Sequence, residues 1–191
     1  MRRDFALLII DVLVDYFERV PELSAQRARL VAATNQLTAA VRDAGLPVIW
    51  IRQEFKPDLS DAFLDMRRRG VAVTIAGTEG AQILPELGRA PSDHIVVKKR
   101  YSAFYGTSLD ELLAALGTRA LVVAGINTHA CVRTTVIDAY QRDYDVTLAA
   151  ECIGSYDAEH HDITVRYLDG RIARLSSNAD IIERLRSIST D

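Results

Sequence analysis

The stretch Phe5-Ala-Leu-Leu-Ile-Ile-Asp11 places six apolar residues in a row and closes them with a carboxylate. A strand with one wet face would alternate apolar and polar residues; this run does not, so it predicts a short strand covered on both faces. Four similar runs follow, at 46–51 (LPVIWI), 95–97, 120–126 (ALVVAGI) and 146–149, with 171–175 as a candidate sixth. The segments between them carry helical periodicity. One helix is expected over 24–43, with Ser24 as N-cap and Gly45 as stop. Others are expected over 107–116, with Asp110 and Glu111 in the first turn, over 132–142, and over 178–187. Strands alternating with helices predict an α/β protein with a parallel sheet between helix layers.

Length and composition agree with that reading. The 191 residues are 49% apolar and 26% charged, which suits one folded domain over 1–191, and no repeat, low-complexity tract or linker interrupts them. Net charge is −3, and no run of Lys or Arg exceeds the three arginines at 67–69. No basic stripe is present to meet a nucleic acid or an anionic membrane, so neither partner is expected. Asp4, Asp11 and Asp15 break the apolar N-terminal stretch too early for a signal peptide or a spanning helix, which predicts a cytoplasmic protein. The least regular part is 53–80, with Pro57, the arginine triplet and Gly70, read as a lid, an oligomer contact or a surface excursion.

Ligands of open parallel sheets bind beyond the carboxyl ends of the strands. The residues just after each apolar run are therefore the candidates for chemistry. The first run delivers Asp11, the third Lys98 and Lys99, the fourth Gly125-Ile-Asn-Thr-His-Ala-Cys131, and the fifth Glu151 and Cys152. An acid, a base and a thiol thus fall on one rim. A thiolate attacks carbonyls, and both a helix N-terminus and a nearby ammonium favour it, so a depressed Cys131 pKa is expected. Asp11 could accept the thiol proton and return it to a leaving amine. The turn after Gly125 offers backbone N–H groups, those of Asn127 and Cys131, to a developing oxyanion. Together these predict acyl transfer through a thioester. Singly, each residue has a plainer role: a loop-capping aspartate, a solvated lysine pair, a small buried hydrophobe. Cys152 reads as structural, and His129 diverges from Cys131 on the turn. His160 and His161, about 100° apart on a helix, read as surface residues rather than ligands, so no metal or cofactor is expected. Arg52, Arg100 and Arg133 near the rim suggest a carboxylate-bearing small-molecule substrate, with surface ion pairs as the equal alternative. Phe17, Tyr101 and Phe104 are candidate apolar walls, or core.

Four segments carry a family resemblance. They are Leu7-Leu-Ile-Ile-Asp11 with Asp15-Tyr-Phe17; Val97-Lys-Lys-Arg-Tyr-Ser-Ala-Phe104 with Gly106-Thr-Ser-Leu109; Leu121-Val-Val-Ala-Gly-Ile-Asn-Thr-His-Ala-Cys-Val132 through Asp138-Ala139; and the tail from Asp157 to Leu185. With these the chain resembles the isochorismatase-like cysteine hydrolases over nearly its full length. The resemblance implies a three-layer α/β/α fold on a six-stranded parallel, Rossmann-like sheet, and an Asp–Lys–Cys triad carried onto Asp11, Lys98 and Cys131. Lys98 is chosen over Lys99 because the family lysine stands three residues before the tyrosine, and its placement against Cys131 rests on the resemblance alone. The same likeness implies a cis peptide bond at Ile126–Asn127 and a homodimer or homotetramer. Departures narrow the activity. Nicotinamidases bind a metal through Asp-x-His…His after the second strand, where Trp50-Ile-Arg-Gln-Glu-Phe55 has no histidine. Isochorismatases proper lack the cysteine, and Leu13 stands where many members carry Gln. The expected activity is a cysteine-dependent amidohydrolase cleaving a small carboxamide or N-carbamoyl compound, with release of ammonia or an amine. The alternatives are a vinyl-ether hydrolase using Asp11 as acid and a non-catalytic, redox-sensitive binding protein on the same fold. An Asp-x-Asp phosphatase and a Gly-x-Gly-x-x-Gly dinucleotide site both lack their motifs.

Overall fold

The computed structural model describes residues 4–188. Its sheet is all parallel, with strands β1 (Phe5–Ile10), β2 (Val48–Gln53), β3 (His94–Lys98), β4 (Ala120–Gly125), β5 (Asp145–Ile153) and β6 (Arg174–Ser176) in the order β3-β2-β1-β4-β5-β6. The central strand β1 lies between β2 and β4, which is why its run is apolar throughout: alternate residues feed two different cores. Ala6, Leu8 and Ile10 join one core; Leu7 and Ile9 join the other.

The α-helices among the described residues are α1 (Val14–Arg19), α2 (Pro21–Ser24), α3 (Arg27–Asp43), α4 (Leu64–Arg69), α5 (Leu109–Ala115), α6 (Arg133–Tyr140), α7 (Ala158–Leu168) and α8 (Asn178–Ile188), and all but α4 pack on the sheet. The Ala6–Leu8–Ile10 face packs against α5, α6 and α7 through Leu109, Leu113, Val136 and Leu168. The opposite face packs against α1, α2, α3 and α8 through Phe17, Leu23, Leu30, Leu37 and Ile181. None of these helices is long and apolar enough to cross a membrane.

Several boundaries differ from expectation. Ser24 ends α2 rather than capping α3, whose first turn follows Gln26. Pro21 stands at the first position of α2, where its missing N–H costs nothing, so a short helix precedes α3. β2 starts two residues late, because Gly45, at φ +70, and Pro47 are spent turning out of α3. β5 is nine residues long, since a register shift between Val123 and Gly125 lets Gly125 pair with Ile153. Glu151 and Cys152 therefore lie within the strand, not beyond it. β6 begins at Arg174, because Gly170 and its neighbours form the preceding turn. The 53–80 segment carries α4, and it is anchored to α1 by the buried Asp15, which accepts from Thr74 N at 2.6 Å and pairs with Arg19 at 2.8 Å. A Cβ on Gly80 would stand 2.3 Å from the Asp15 carboxyl carbon, so a larger residue here would displace the carboxylate from Thr74 and Arg19.

Candidate active site

Strand order reverses between β1 and β4, and a crevice opens beyond their carboxyl ends, as in other sheets of this order. β1 runs straight into Asp11, which is 1% exposed and holds a left-handed backbone, φ +54. That conformation is disfavoured for residues with a Cβ by about 1–2 kcal/mol, least for Asp and Asn. The end of β2 fixes it: Asp11 N donates to Ile51 O at 2.9 Å, and Asp11 Oδ1 accepts from Gln53 N at 2.8 Å.

Parity places the lysine. β3 is an edge strand covered on one face, so Val96 and Lys98 are buried while Ile95 is exposed. Lys98 thus follows the core series and is fully enclosed, whereas Lys99 turns away to Glu54 O and, at 3.1 Å, to Asp61. The Lys98 ammonium forms an ion pair with Asp11 Oδ2 at 2.6 Å and donates hydrogen bonds to Arg100 O at 3.1 Å and Cys131 Sγ at 3.3 Å.

The thiol arrives on a single π-helical turn, Thr128–Val132, which leads into α6. Such turns are rare and cluster at functional sites. Gly125, at φ +114, makes it possible: a Cβ there would lie 2.0 Å from Ile10 O, so only glycine lets β4 pass this close to the end of β1. The Ile126–Asn127 peptide is cis, as the resemblance implied. Thr128 N and Oγ1 both donate to Gly154 O, at 2.8 and 2.9 Å, and so tie the turn to the end of β5.

Electrostatics reverses one expectation. Burial pushes the Cys131 thiol up to about 12, the Asp11 charge adds to this, and the Lys98 ammonium only partly opposes it. The thiol sits within a helical turn at 6% exposure, so lost hydration outweighs the nearby positive charge. Burial works against the Lys98 charge too, but Asp11 and Cys131 together hold its pKa above the ordinary lysine value. The resting site is therefore an Asp11–Lys98 ion pair beside a protonated thiol.

A cavity of about 490 Å³ stands over this floor. Asp11, Ile126, Asn127, Ala130 and Cys131 form its base; Tyr16, Gln53, Tyr101 and Tyr156 form its sides. Phe63, Leu64, Asp65, Met66 and Val73, all from the 53–80 segment, form the outer wall. Of the candidate contact residues, only Tyr101 borders it. Phe17 and Phe104 are core residues at 1% and 3% exposure, because α1 turns Tyr16 rather than Phe17 toward the cavity and Phe104 packs on Tyr144. The arginines are engaged elsewhere. Arg52 pairs with Glu54 at 2.8 Å, Arg100 donates to Asp61 O and Lys99 O, and Arg133 lies 5.2 Å from the Tyr167 ring centre. Tyr16, Gln53 and Tyr156 escaped the sequence reading; parity with Ile49 and Ile51 is the signal that could have found Gln53.

The histidines brace the turn. His129 Nδ1 meets Ser155 Oγ at 2.7 Å, His161 Nδ1 meets Thr128 Oγ1 at 2.9 Å, and His160 Nδ1 meets Asp157 Oδ2 at 2.8 Å. His161 is thus partly buried against the turn rather than free on a helix surface. Among the described residues, no three His, Cys, Asp or Glu side chains gather as metal ligands do.

Residues 5–180 match the isochorismatase domain. A protein of Arabidopsis thaliana named "Probable inactive nicotinamidase" is 32% identical, over 85% of this chain and 87% of its own length. The maleamate amidohydrolase of Pseudomonas putida is 28% identical, over 96% of this chain and 88% of its own. The crystal structure of a cysteine hydrolase from Pseudomonas syringae superposes with a TM-score of 0.89 at 23% identity, covering 97% of this chain and 93% of that one. The chain belongs to the isochorismatase family, whose members are hydrolases and include amidohydrolases.

Proposed function

We propose that this protein is a cysteine-dependent amidohydrolase acting on a small carboxamide or N-carbamoyl compound. The observation that carries the reading is the Lys98 ammonium, buried 2.6 Å from Asp11 and 3.3 Å from Cys131, two residues that line the base of a cavity. Asp11 takes the proton from Cys131 as Sγ attacks the carbonyl carbon, so the thiolate forms only with substrate in place. The Asn127 and Cys131 backbone N–H groups stabilise the oxyanion, and the Lys98 charge offsets the negative charge shared between Asp11 and sulfur. Asp11 then passes its proton to the leaving nitrogen, and the C–N bond breaks to leave a thioester. Water attacks that thioester with Asp11 as base, which restores the thiol and releases the acid.

The high resting pKa of Cys131 favours one second reading, in which Asp11 acts as an acid without the thiol. Denaturing mass spectrometry during turnover of a panel of small primary amides separates the two. An acyl adduct on the Cys131 peptide, with ammonia release that Cys131→Ala abolishes, supports the thioester route. Turnover that survives Cys131→Ala rejects it.

A further inference from the structure

The polar groups around the cavity fall into two sets. The floor holds the reacting groups, with the Lys98 charge matched by Asp11. The side wall holds two uncharged groups in contact: Tyr16 Oη donates to Gln53 Oε1 at 2.5 Å. Burial, and the nearby Asp11 and Cys131, hold the Tyr16 phenol far above its ordinary pKa, so it keeps its proton at any working pH. Gln53 is only 4% exposed, and its Nε2 has no hydrogen-bond partner among the described residues. An enclosed donor left without an acceptor is costly, by about 1–3 kcal/mol, and such groups in folded proteins mostly find partners. The Gln53 oxygen is already taken by Tyr16, so the group still to be satisfied is an amide donor at the cavity wall. The backbone N–H of the same residue donates to Asp11, and both residues line the cavity, so Gln53 stands beside the reaction centre.

Among the described residues, the one cation at the floor, the Lys98 ammonium, lies behind Asp11 and Cys131 and is already paired with Asp11. The ionisable residues lining the cavity include the carboxylates Asp11 and Asp65, and no Lys or Arg among the described residues borders it. The three arginines that could have received a carboxylate are engaged elsewhere. An anionic group entering here would lose its hydration without gaining an unpaired cation, whereas a neutral carbonyl or hydroxyl oxygen would complete the Gln53 amide.

We propose that the site selects uncharged amides: Gln53 Nε2 donates to a neutral oxygen of the substrate, Tyr16 holds Gln53 in place for it, and carboxylate-bearing amides are disfavoured. This names the substrate class of the amidohydrolase proposed above and rests on that reading.

Iodoacetamide and iodoacetate alkylate the same sulfur and differ in the charge of one group, so they test the selection without requiring turnover. Rates of Cys131 modification, followed by peptide mass spectrometry, are divided by each reagent's rate with glutathione. Iodoacetamide is expected to be favoured at least about tenfold over iodoacetate after that correction. Gln53→Leu, which leaves the backbone donor to Asp11 in place, should bring the bias to within about threefold of unity. Tyr16→Phe should weaken it in the same direction, and near-native circular dichroism verifies that both variants fold. A corrected ratio near or below unity, or a bias unchanged in both variants, overturns the proposal. Ammonia release from succinamide and from succinamate is measured alongside. A biased thiol in a protein that releases no ammonia from either fails the amidohydrolase reading and supports the charge selection. A protein that hydrolyses succinamate in preference to succinamide supports the amidohydrolase reading and overturns the selection.

Discussion

The floor of the cavity and its outer wall are built by different means. Asp11 and Lys98 continue strands of the sheet, and Cys131 sits on a turn pinned to the end of β5; all three are nearly or wholly buried. The outer wall comes from 53–80, where α4 has no buried residue and Leu64 is 53% exposed. Groups that must meet within 3.3 Å are placed by backbone ladders, which leave them little freedom. Groups that only shape the entrance are carried by a segment held at Asp15 and a few loop contacts.

If this division is right, changes to the floor should be severe and changes to the wall mild. The largest effect is expected from Cys131→Ala: loss of the attacking sulfur should lower amide turnover by about 10⁴-fold or more, measured as ammonia release at saturating substrate. Next is Lys98→Met, which leaves Asp11 buried without its counter-charge. Urea unfolding should report a loss of about 3–5 kcal/mol, and a loss under 1 kcal/mol would mean the floor is not held by this pair.

Alkaline pH should expose the floor in a third way. The Cys131 thiol ionises at about 9 when unfolded and about 12 when folded. Between those values the unfolded chain binds fewer protons than the folded one, so stability falls as pH rises. The slope should be about 1.4 kcal/mol per pH unit for this group, with a similar share from Cys152, whose thiol burial pushes up to about 11. Denaturant titrations at pH 9 to 10.5 should become shallower in Cys131→Ala; an unchanged slope would show that the thiol is not shielded as described. Leu64→Ala, on the wall, should shift stability by less than about 0.5 kcal/mol and raise KM for an amide substrate only a few-fold. A wall change as damaging as Lys98→Met would erase the distinction.

The positions of Asp11, Lys98 and Cys131 were legible because strand ends are legible. Asp11 closes an apolar run, and Gly125 to Cys131 follows another. Even the choice between Lys98 and Lys99, which had rested on family likeness, has a local reason in the alternation of β3, with Val96 and Lys98 inward. The contact residues were far less legible. Phe17 and Tyr16 are adjacent aromatics on a six-residue helix, and periodicity over so short a span does not tell which one the core takes. The arginines near the rim read as anion receptors, yet their partners, Glu54, the Asp61 and Lys99 carbonyls and the Tyr167 ring, are set by loop paths. The thiol pKa was misjudged for a related reason: the sequence puts a cation and a helix near Cys131, but only packing measures how much water is lost.

The sequence by itself determined the layered α/β class, the strands that end in polar side chains and the residue types at those ends, because apolar runs and stop residues act over a few positions along the chain. Tertiary structure alone decided that the Lys98 ammonium bridges Asp11 and Cys131, that the rim arginines point their charges elsewhere, and that Gln53 keeps an unpaired donor at the cavity wall. Those outcomes depend on which elements meet in space and on how fully they exclude water, and neither is written in the spacing of residues along one chain.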